Sequence, residues 1–561
     1  VSSRWVTASP PPVARALVAA GYGSRLSDLL ALRGVETVAE AGAFLAPGRD
    51  QFHPPGELLG LTEAVERLAE ACNRGLVVAV LGDYDVDGIS GTALLAAVLR
   101  SAGARVETLL GRRHEEGYGF HPVHALRAAE RRAELLVTVD CGTNDRAAGE
   151  EASRLGLGLV IVDHHLPDGE APPGAILINP RQAGCRYPFR DLTGAGLAFK
   201  LSVALLERLG RAIPWEALLR VACLGTIADM APLVGENRAI AALGLEALGR
   251  TRSAGLTALF EEAGVRPPLR AADVGFRLAP RLNAAGRLGS AEPALELLLE
   301  RDAGRARELA RQLGRANRER QELESRVLAE ARDSIESRGQ PPIAVAWSPA
   351  WHRGVVGIVA ARLMRELARP VLLLAVEGEL ATGSGRSVAA VHLHDFLKPW
   401  ARRLERFGGH AQAVGLTART AALDSLVAEW EAAAADWPSE SLEPRLRYDL
   451  DLALSEVGES LLSDLERLEP FGAGNEEPVF RFGPLAPAGP LRTFGKGHAS
   501  LALGAASPGT AGVEAVGWGW AGRLRAASAP FEILARVERD RWRGAVRLRL
   551  EDLRPLGESA Q

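Results

Sequence analysis

Three apolar runs in the first half of the chain each empty into acids or imidazoles. Residues 76–81 (LVVAVL) lead into Gly82-Asp83-Tyr84-Asp85-Val86-Asp87-Gly88. Residues 135–139 (LLVTV) lead into Asp140-Cys141-Gly142, and 159–162 (LVIV) into Asp163-His164-His165. Short runs rich in β-branched side chains and bounded by Gly or Pro read as buried strands. Helical patterns separate them, so the chain is constrained to a βαβ sheet. Open parallel sheets bind ligands at the C-terminal ends of their strands. Carboxylates gathered there unpaired are costly, and a shared cation satisfies them together. Side chains alternate along an extended chain, so two residues of Asp163-His164-His165 face a site and one supports it.

The rest of the chain divides by pattern. Residues 1–50 read as short helices around a Pro-rich start, and 51–290 as an α/β domain with further strands at 106–110 and 175–178. Within that domain a helix is predicted over 90–99, just past the acidic loop, and a Gly- and Arg-bearing loop over 273–290. Asp229, beside apolar neighbours, reads by itself as a cap or turn residue. Residues 291–338 read as one long Arg- and Glu-laced helix connecting domains. Arg307, Arg311, Arg315 and Arg318 share a face of it, ordinarily a solvated, salt-bridged face and more sharply a DNA-facing stripe.

A second α/β unit spans 339–440, with strands at 343–347 and 371–375 and a helix over 355–367. Its Gly383-Ser384-Gly385-Arg386-Ser387 reads as a phosphate-binding loop, because small residues let the backbone approach and Arg forks onto oxygens. Residues 441–561 change character: a helix at 455–468 and five short strands suit an OB-type barrel. Trp518, Trp520 and Trp542 are either stacking platforms or barrel core. The fold class expected is therefore α/β: two α/β domains joined by a long helix, plus a C-terminal OB-type β-barrel.

Composition adds limits. A net charge of −4 does not advertise a nucleic-acid partner, although nearly all the positive charge is Arg, which binds phosphate bidentately. Cys72, Cys141, Cys185 and Cys223 are scattered and read as buried thiols of a reducing, cytoplasmic compartment. No apolar stretch reaches the ~18 residues that span a bilayer, and the start does not read as a signal peptide.

Asp83, Asp85, Asp87, Asp140, Asp163, His164, His165 and Asp229 form an oxygen-rich ligand set with some imidazole and no thiolate, which argues for Mn²⁺ or Mg²⁺. The set is too large for one ion. Two ions ~3.5–4 Å apart are the arrangement used for in-line phosphoryl displacement.

With these motifs assembled, the chain resembles the DHH phosphoesterases, and within them the RecJ-type single-strand exonucleases. Asp83 to Gly88, Asp140-Cys141-Gly142, Asp163-His164-His165 and Ala228-Asp229 match the successive motifs in order. Gly383 to Ser387 and Gly408-Gly409-His410 resemble the associated C-terminal domain, and residues 468–475 (LEPFGAGN) a stretch entering the OB domain. Val86 stands where Ala is usual, and Thr143-Asn144-Asp145 departs from the family pattern.

The resemblance implies single-stranded-DNA-specific 5′→3′ hydrolysis to 5′-mononucleotides with two divalent ions, in DNA repair and recombination. It assigns Asp83, Asp85, Asp87, Asp140, His164 and Asp229 to the metals, with Asp140 bridging and Asp83 directly or indirectly involved. His165 would touch the scissile phosphate, and Asp163 would orient the histidines. Arg113, Tyr118, Asn283, Arg287, Ser384, Arg386 and His410 would handle the strand and its 5′-phosphate. The partners it implies are single-stranded DNA, a single-strand-binding protein and a helicase, met by a monomer. A small-substrate DHH hydrolase and a catalytically dead scaffold are the alternatives; the OB-like region opposes the first, and the intact ligand set opposes the second.

Overall fold

The computed structural model describes residues 4–112, 115–339, 341–438, 442–505, 512–540 and 543–556. Its first sheet is built from β1 (Val77–Gly82), β2 (Arg105–Leu110), β3 (Leu135–Val139), β4 (Gly158–Val162) and β5 (Ala175–Ile178), all parallel. The strand order is β2-β1-β3-β4-β5. The order reverses between β1 and β3, and the crevice beyond their C-terminal ends is where such sheets take ligands. β3 is buried throughout because both faces are covered.

Helix α1 (Val86–Ala102) crosses one face of that sheet and is buried nearly all round, as a hydrophobic central helix must be. It packs on α2 (Gly194–Arg208) and α3 (Trp215–Ala228). Gly91 permits the crowding: a Cβ there would lie 2.6 Å from Val139 Cγ1 and 3.2 Å from the Ala195 Cα. α1 begins four residues earlier than its apolar pattern predicts, because Asp85 caps it by accepting from the amides of Asp87 and Gly88.

Beneath α2 lies a buried polar knot. Glu236 accepts from Lys200 Nζ (2.8 Å), Tyr187 Oη (2.7 Å) and the His53 amide (2.6 Å), and both charged side chains are at most 2% exposed. Lys200→Ala leaves Glu236 buried and unneutralised, so a loss of about 3–5 kcal/mol is expected. Thermal unfolding of the variant checks it; a Tm equal to that of the parent would refute the account.

After α4 (Ala254–Ala263) the stretch expected to be a loop is helical. A π-helical turn, Val274–Leu278, runs into α5 (Ala279–Leu288). Val274, Leu278 and Leu282 recur every four residues and are fully buried, which overrides the Gly and Pro punctuation. The expected single connector is also two helices: α6 (Glu292–Leu299) and α7 (Ala303–Ser337), with Asp302 capping the second. Two arginines of the stripe on α7 are salt-bridged, Arg307 at 3.7 Å from Glu261 and Arg318 at 3.0 Å from Glu262, while Arg311 donates to the Arg307 carbonyl.

The second α/β unit has β6 (Ala344–Ser348), helix α8 (Arg353–Leu367), β7 (Val371–Glu377), β8 (Leu380–Arg386), β9 (Arg406–His410) and β10 (Ala413–Arg419). Its order is β9-β10-β8-β7-β6, parallel only between β6 and β7. The Gly-Ser-Gly-Arg segment is therefore a strand rather than a loop. Gly383 and Gly385 are forced by packing, since a Cβ at either would lie 2.5 Å or 2.6 Å from Leu374 or Leu372.

The C-terminal unit closes a five-stranded barrel from β11 (Phe480–Pro487), β12 (His498–Ala505), β13 (Val513–Gly517), β14 (Phe531–Arg539) and β15 (Val546–Pro555). The circuit runs β11-β14-β15-β13-β12 and returns to β11. Trp518 stands 52% exposed, touching His498 and Phe494, whereas Trp520 packs against the barrel core; Trp542 lies outside the described residues. The N-terminal helices pack into that same core through Leu17, Leu26 and Leu29, and a strand at Arg4–Val6 runs parallel to Arg445–Arg447. Buried Arg238 of the first α/β domain ties both ends down, donating to the carbonyls of Phe44 and Glu469 (both 2.8 Å).

The free cysteines Cys72, Cys141, Cys185 and Cys223 are all buried. Among the described residues no helix is long and apolar enough to cross a membrane.

Candidate metal centre and nucleic-acid cleft

Four chain segments bring their acids to the switch point. β1 delivers Asp83, Asp85 and Asp87, β3 delivers Asp140, β4 delivers His164 and His165, and the C-terminus of α3 delivers Asp229. Their ligand atoms fall into sets whose members lie within 4.8 Å of one another: Asp83, Asp85 and Asp140; Asp87, His164 and Asp229; and Asp140, His164 and His165. Asp140 and His164 link the sets, with 3.0 Å between Asp140 Oδ1 and His164 Nε2. His164 Nε2 is also 3.8 Å from Asp87 and 3.9 Å from Asp229. Asp229, the cap residue of α3, and His165 form the open side of the cluster, with side chains 31% and 41% exposed.

Local backbone chemistry holds this geometry. Asp140 sits at φ 64°, a left-handed conformation that a non-glycine residue adopts only under constraint. Asp163 is the supporting member of its triplet. It accepts from the amides of Thr143 (2.9 Å) and His164 (2.8 Å) and pairs at 2.7 Å with His165 Nδ1. Burial alone would raise its pKa, but the bonds from His165 and Thr143 hold the carboxyl well below the ordinary range. Asn179 adds a brace, donating to the His165 carbonyl (2.8 Å) and to Thr143 Oγ1 (3.0 Å).

Asp87, Asp140 and Asp229 show the opposite shift. Burial, reinforced by Asp85, pushes Asp87 up to about 7. Burial, then Asp87 and Asp85, pushes Asp229 up to about 8, and burial with its acidic neighbours raises Asp140 as well. Burial pulls His164 down to about 4, leaving it a neutral imidazole suited to ligation. Acids this close and this dry cannot all ionise alone, so the donor set fits divalent cations that prefer oxygen with some imidazole.

Two glycines that carried no signal in the sequence shape the cluster. A Cβ on Gly194 would lie 2.6 Å from Asp140 Cβ and 3.0 Å from Asp87 Oδ2, and one on Gly225 would collide with Asp87. Gly194 and Ala195 instead donate their amides to Asp87 at 2.6 and 3.0 Å, from the N-terminus of α2.

The residues assigned to the strand are distributed differently. Tyr118 stands against the cluster itself, its hydroxyl 2.9 Å from His165 Nδ1 and 3.2 Å from the Asp140 carbonyl. Asn283 accepts from the Val86 amide at 3.1 Å, so it holds the metal loop. Gly286 lets α5 lie against the Tyr84 carbonyl, and the backbone carbonyl of Arg287 abuts the start of α8 at Gly354, while its guanidinium lies near Glu324 of α7. One turn on, Gly357 faces Ser384 and Arg386, whose guanidinium donates to Ser384 Oγ at 3.1 Å. His410 and Arg386 are both in register with Ala413, so they share a rung of the sheet. A cavity of ≈ 410 Å³ opens at this seam between Arg112, Ser290, His352 and Arg353. Arg113 lies outside the described residues.

Residues 77–226 match the DHH family, N-terminal domain; 340–436 match the DHHA1 domain; and 448–552 match the RecJ OB domain. A single-stranded-DNA-specific exonuclease RecJ of Escherichia coli is 35% identical over 480 residues, covering 81% of this chain and 82% of that protein. The chain belongs to the RecJ family of exonucleases. A Bacillus subtilis RecJ is 36% identical over 81% of this chain, and the chain spans 58% of the length of that relative. The crystal structure of a Thermus thermophilus RecJ in complex with Mn²⁺ superimposes with a TM-score of 0.85 at 33% identity, covering 99% of this chain and 80% of that one. A second Thermus thermophilus structure holds Mg²⁺. RecJ relatives thus carry both ions for which this donor set is suited.

Proposed function

We propose that the chain is a single-stranded-DNA-specific 5′→3′ exonuclease that releases 5′-mononucleotides with two divalent metal ions, Mn²⁺ or Mg²⁺. The observation that carries this reading is the pair of ligand sets linked through Asp140 and His164. Asp83, Asp85 and Asp140 would hold one ion and Asp87, His164 and Asp229 the other, with Asp140 serving both. When bound, the ions supply Lewis acidity and make water a nucleophile near neutral pH.

The protein's own residues do the rest. Burial opposes charging of His165, and the Asp163 bond overcomes it, so His165 keeps its proton more readily than a free imidazole. It then donates to a non-bridging oxygen of the scissile phosphate, with Tyr118 fixing the ring. Arg287, Ser384, Arg386 and His410, joined by Arg113, take the terminal 5′-phosphate. That fixed stop sets the scissile bond one nucleotide in, which gives both the polarity and the mononucleotide product. The barrel carries the downstream strand, with exposed Trp518 as a stacking surface. The same reading extends to a monomer in the cytoplasm, acting in repair and recombination beside a single-strand-binding protein and a helicase, and to domains at 1–50, 51–290, 291–338, 339–440 and 441–561.

Digestion of single-stranded DNA labelled at either end, with Mn²⁺ and with chelator, tests the proposal. The 5′ label should leave first, as a mononucleotide, and only with metal. Turnover of dinucleotides with intact long DNA would refute it in favour of a small-substrate hydrolase. Arg386→Ala should raise KM for 5′-phosphorylated DNA about tenfold or more, the effect of one charge-assisted contact. Its Mn²⁺ affinity, read by titration calorimetry, should not change; lost Mn²⁺ binding would misplace Arg386.

A further inference from the structure

At the end of α1 remote from Asp85 and Asp87, about 25 Å along a helix of this length, lies a cavity of ≈ 750 Å³ that no part of the proposed reaction uses. Arg100, Arg220, Arg252 and Arg301 line it. Arg220, Arg252 and Arg301 form no ion pair among the described residues. The lining carboxylate, Glu300, is occupied by the amides of Arg301 (2.7 Å) and Asp302 (2.8 Å). Arg220 is half-buried, and Glu216, one turn earlier on α3, only partly offsets the desolvation of its charge. The first turn of α4 also opens here, with no acidic residue and no side-chain cap from Ser253.

A second compartment of ≈ 360 Å³ shares the wall formed by Ala97, Ser101 and Arg220. It is apolar, lined by Leu94, Val98, Leu206, Leu218 and Leu256. A rim of four arginines against the single lining carboxylate of Glu300 calls for several neighbouring anionic oxygens, and planar guanidinium forks match phosphate. The apolar annex calls for a flat, weakly polar body attached to them. Few polar groups around an apolar hollow of this size are typical of small-ligand sites.

We propose that this cavity is a binding site for a nucleoside polyphosphate, with the phosphates on Arg100, Arg220, Arg252 and Arg301 and the base in the Leu94–Leu256 annex. The site joins α1, α3 and α4 to the turn between α6 and α7. A ligand there would tie the catalytic domain to the root of the helix that carries the second domain. The proposal stands apart from the nuclease assignment.

Equilibrium dialysis of the full chain against labelled ADP, in excess EDTA to keep the Asp140 centre free of divalent ions, tests it. The expected result is saturable binding of one ADP per chain that a single-stranded oligonucleotide does not displace. Arg252→Glu with Arg301→Glu, both exposed, should weaken it about tenfold or more while circular dichroism and DNA hydrolysis stay unchanged. Ala97→Trp should fill the annex, abolishing ADP binding and sparing pyrophosphate. Absence of binding at millimolar ADP, displacement by the oligonucleotide, an unaffected double variant, or equal affinity for ADP and pyrophosphate would each overturn the assignment.

Discussion

Asp140→Asn is expected to lower kcat by at least about 10³-fold, the scale of removing a group central to transition-state charge stabilisation. Asp140 is where the ligand sets meet, so one neutralised oxygen weakens both. Asn is the informative replacement because it tolerates the left-handed backbone at φ 64°. Ala at that angle adds a backbone cost of about 1–2 kcal/mol and would confuse the outcome. Stability should move the other way. Without metal the wild-type cluster forces buried acids together, so the Asn variant should melt higher than the wild type in chelator and gain less on adding Mn²⁺. Calorimetric scans with and without Mn²⁺ read both effects. Wild-type hydrolysis with an unchanged Mn²⁺-dependent rise in Tm would remove Asp140 from the centre.

Gly194→Ala should be nearly as damaging, although glycine has no side chain to contribute. Its Cβ would press at 2.6 Å on Asp140 Cβ and at 3.0 Å on the Asp140 Cα, which the sheet holds in place. The start of α2 must therefore retreat, taking its two amides away from Asp87. Overpacking of this kind costs about 1–3 kcal/mol. A shift of about 1 Å in a catalytic constellation costs about 10²-fold in rate. Gly196→Ala, two residues on, is the control: its Cβ would meet Leu192 Cδ2 at 3.3 Å and no ligand. Equal activity of the two variants at saturating Mn²⁺ would mean that the helix is not the positioning element.

The contrast between these positions explains what was legible in the sequence. Strand ends were legible because β-branched runs and ligand residues sit side by side, as at Val162 and Asp163. The start of α1 was not, because Asp85 serves at once as cap and as cluster member. Helix α5 was concealed by Pro280 and Gly286, whose reasons are tertiary: one opens the helix and the other clears the Tyr84 carbonyl. Gly383 and Gly385 resembled loop residues because their cause lies on the neighbouring strand. Tyr118 was legible as a functional residue, but its contact with His165 depends on where the chain just before Phe120 is placed. Asp229 needed the family order, since by itself it is an ordinary helix cap.

The shared core of the N-terminal helices and the barrel has a consequence for biosynthesis. Leu17, Leu26 and Leu29 leave the ribosome early, yet Phe480, Phe531 and Ile533 of the same core lie more than 450 positions later. At translation speeds of about 5–20 residues per second, the opening helices wait roughly 20–90 s with their apolar faces uncovered. The two α/β units can complete their sheets in that interval, whereas the barrel and the first helices can mature only together. Newly made chains should therefore depend on a holding chaperone at these helices, and chains stalled before the barrel should keep their apolar faces open to it.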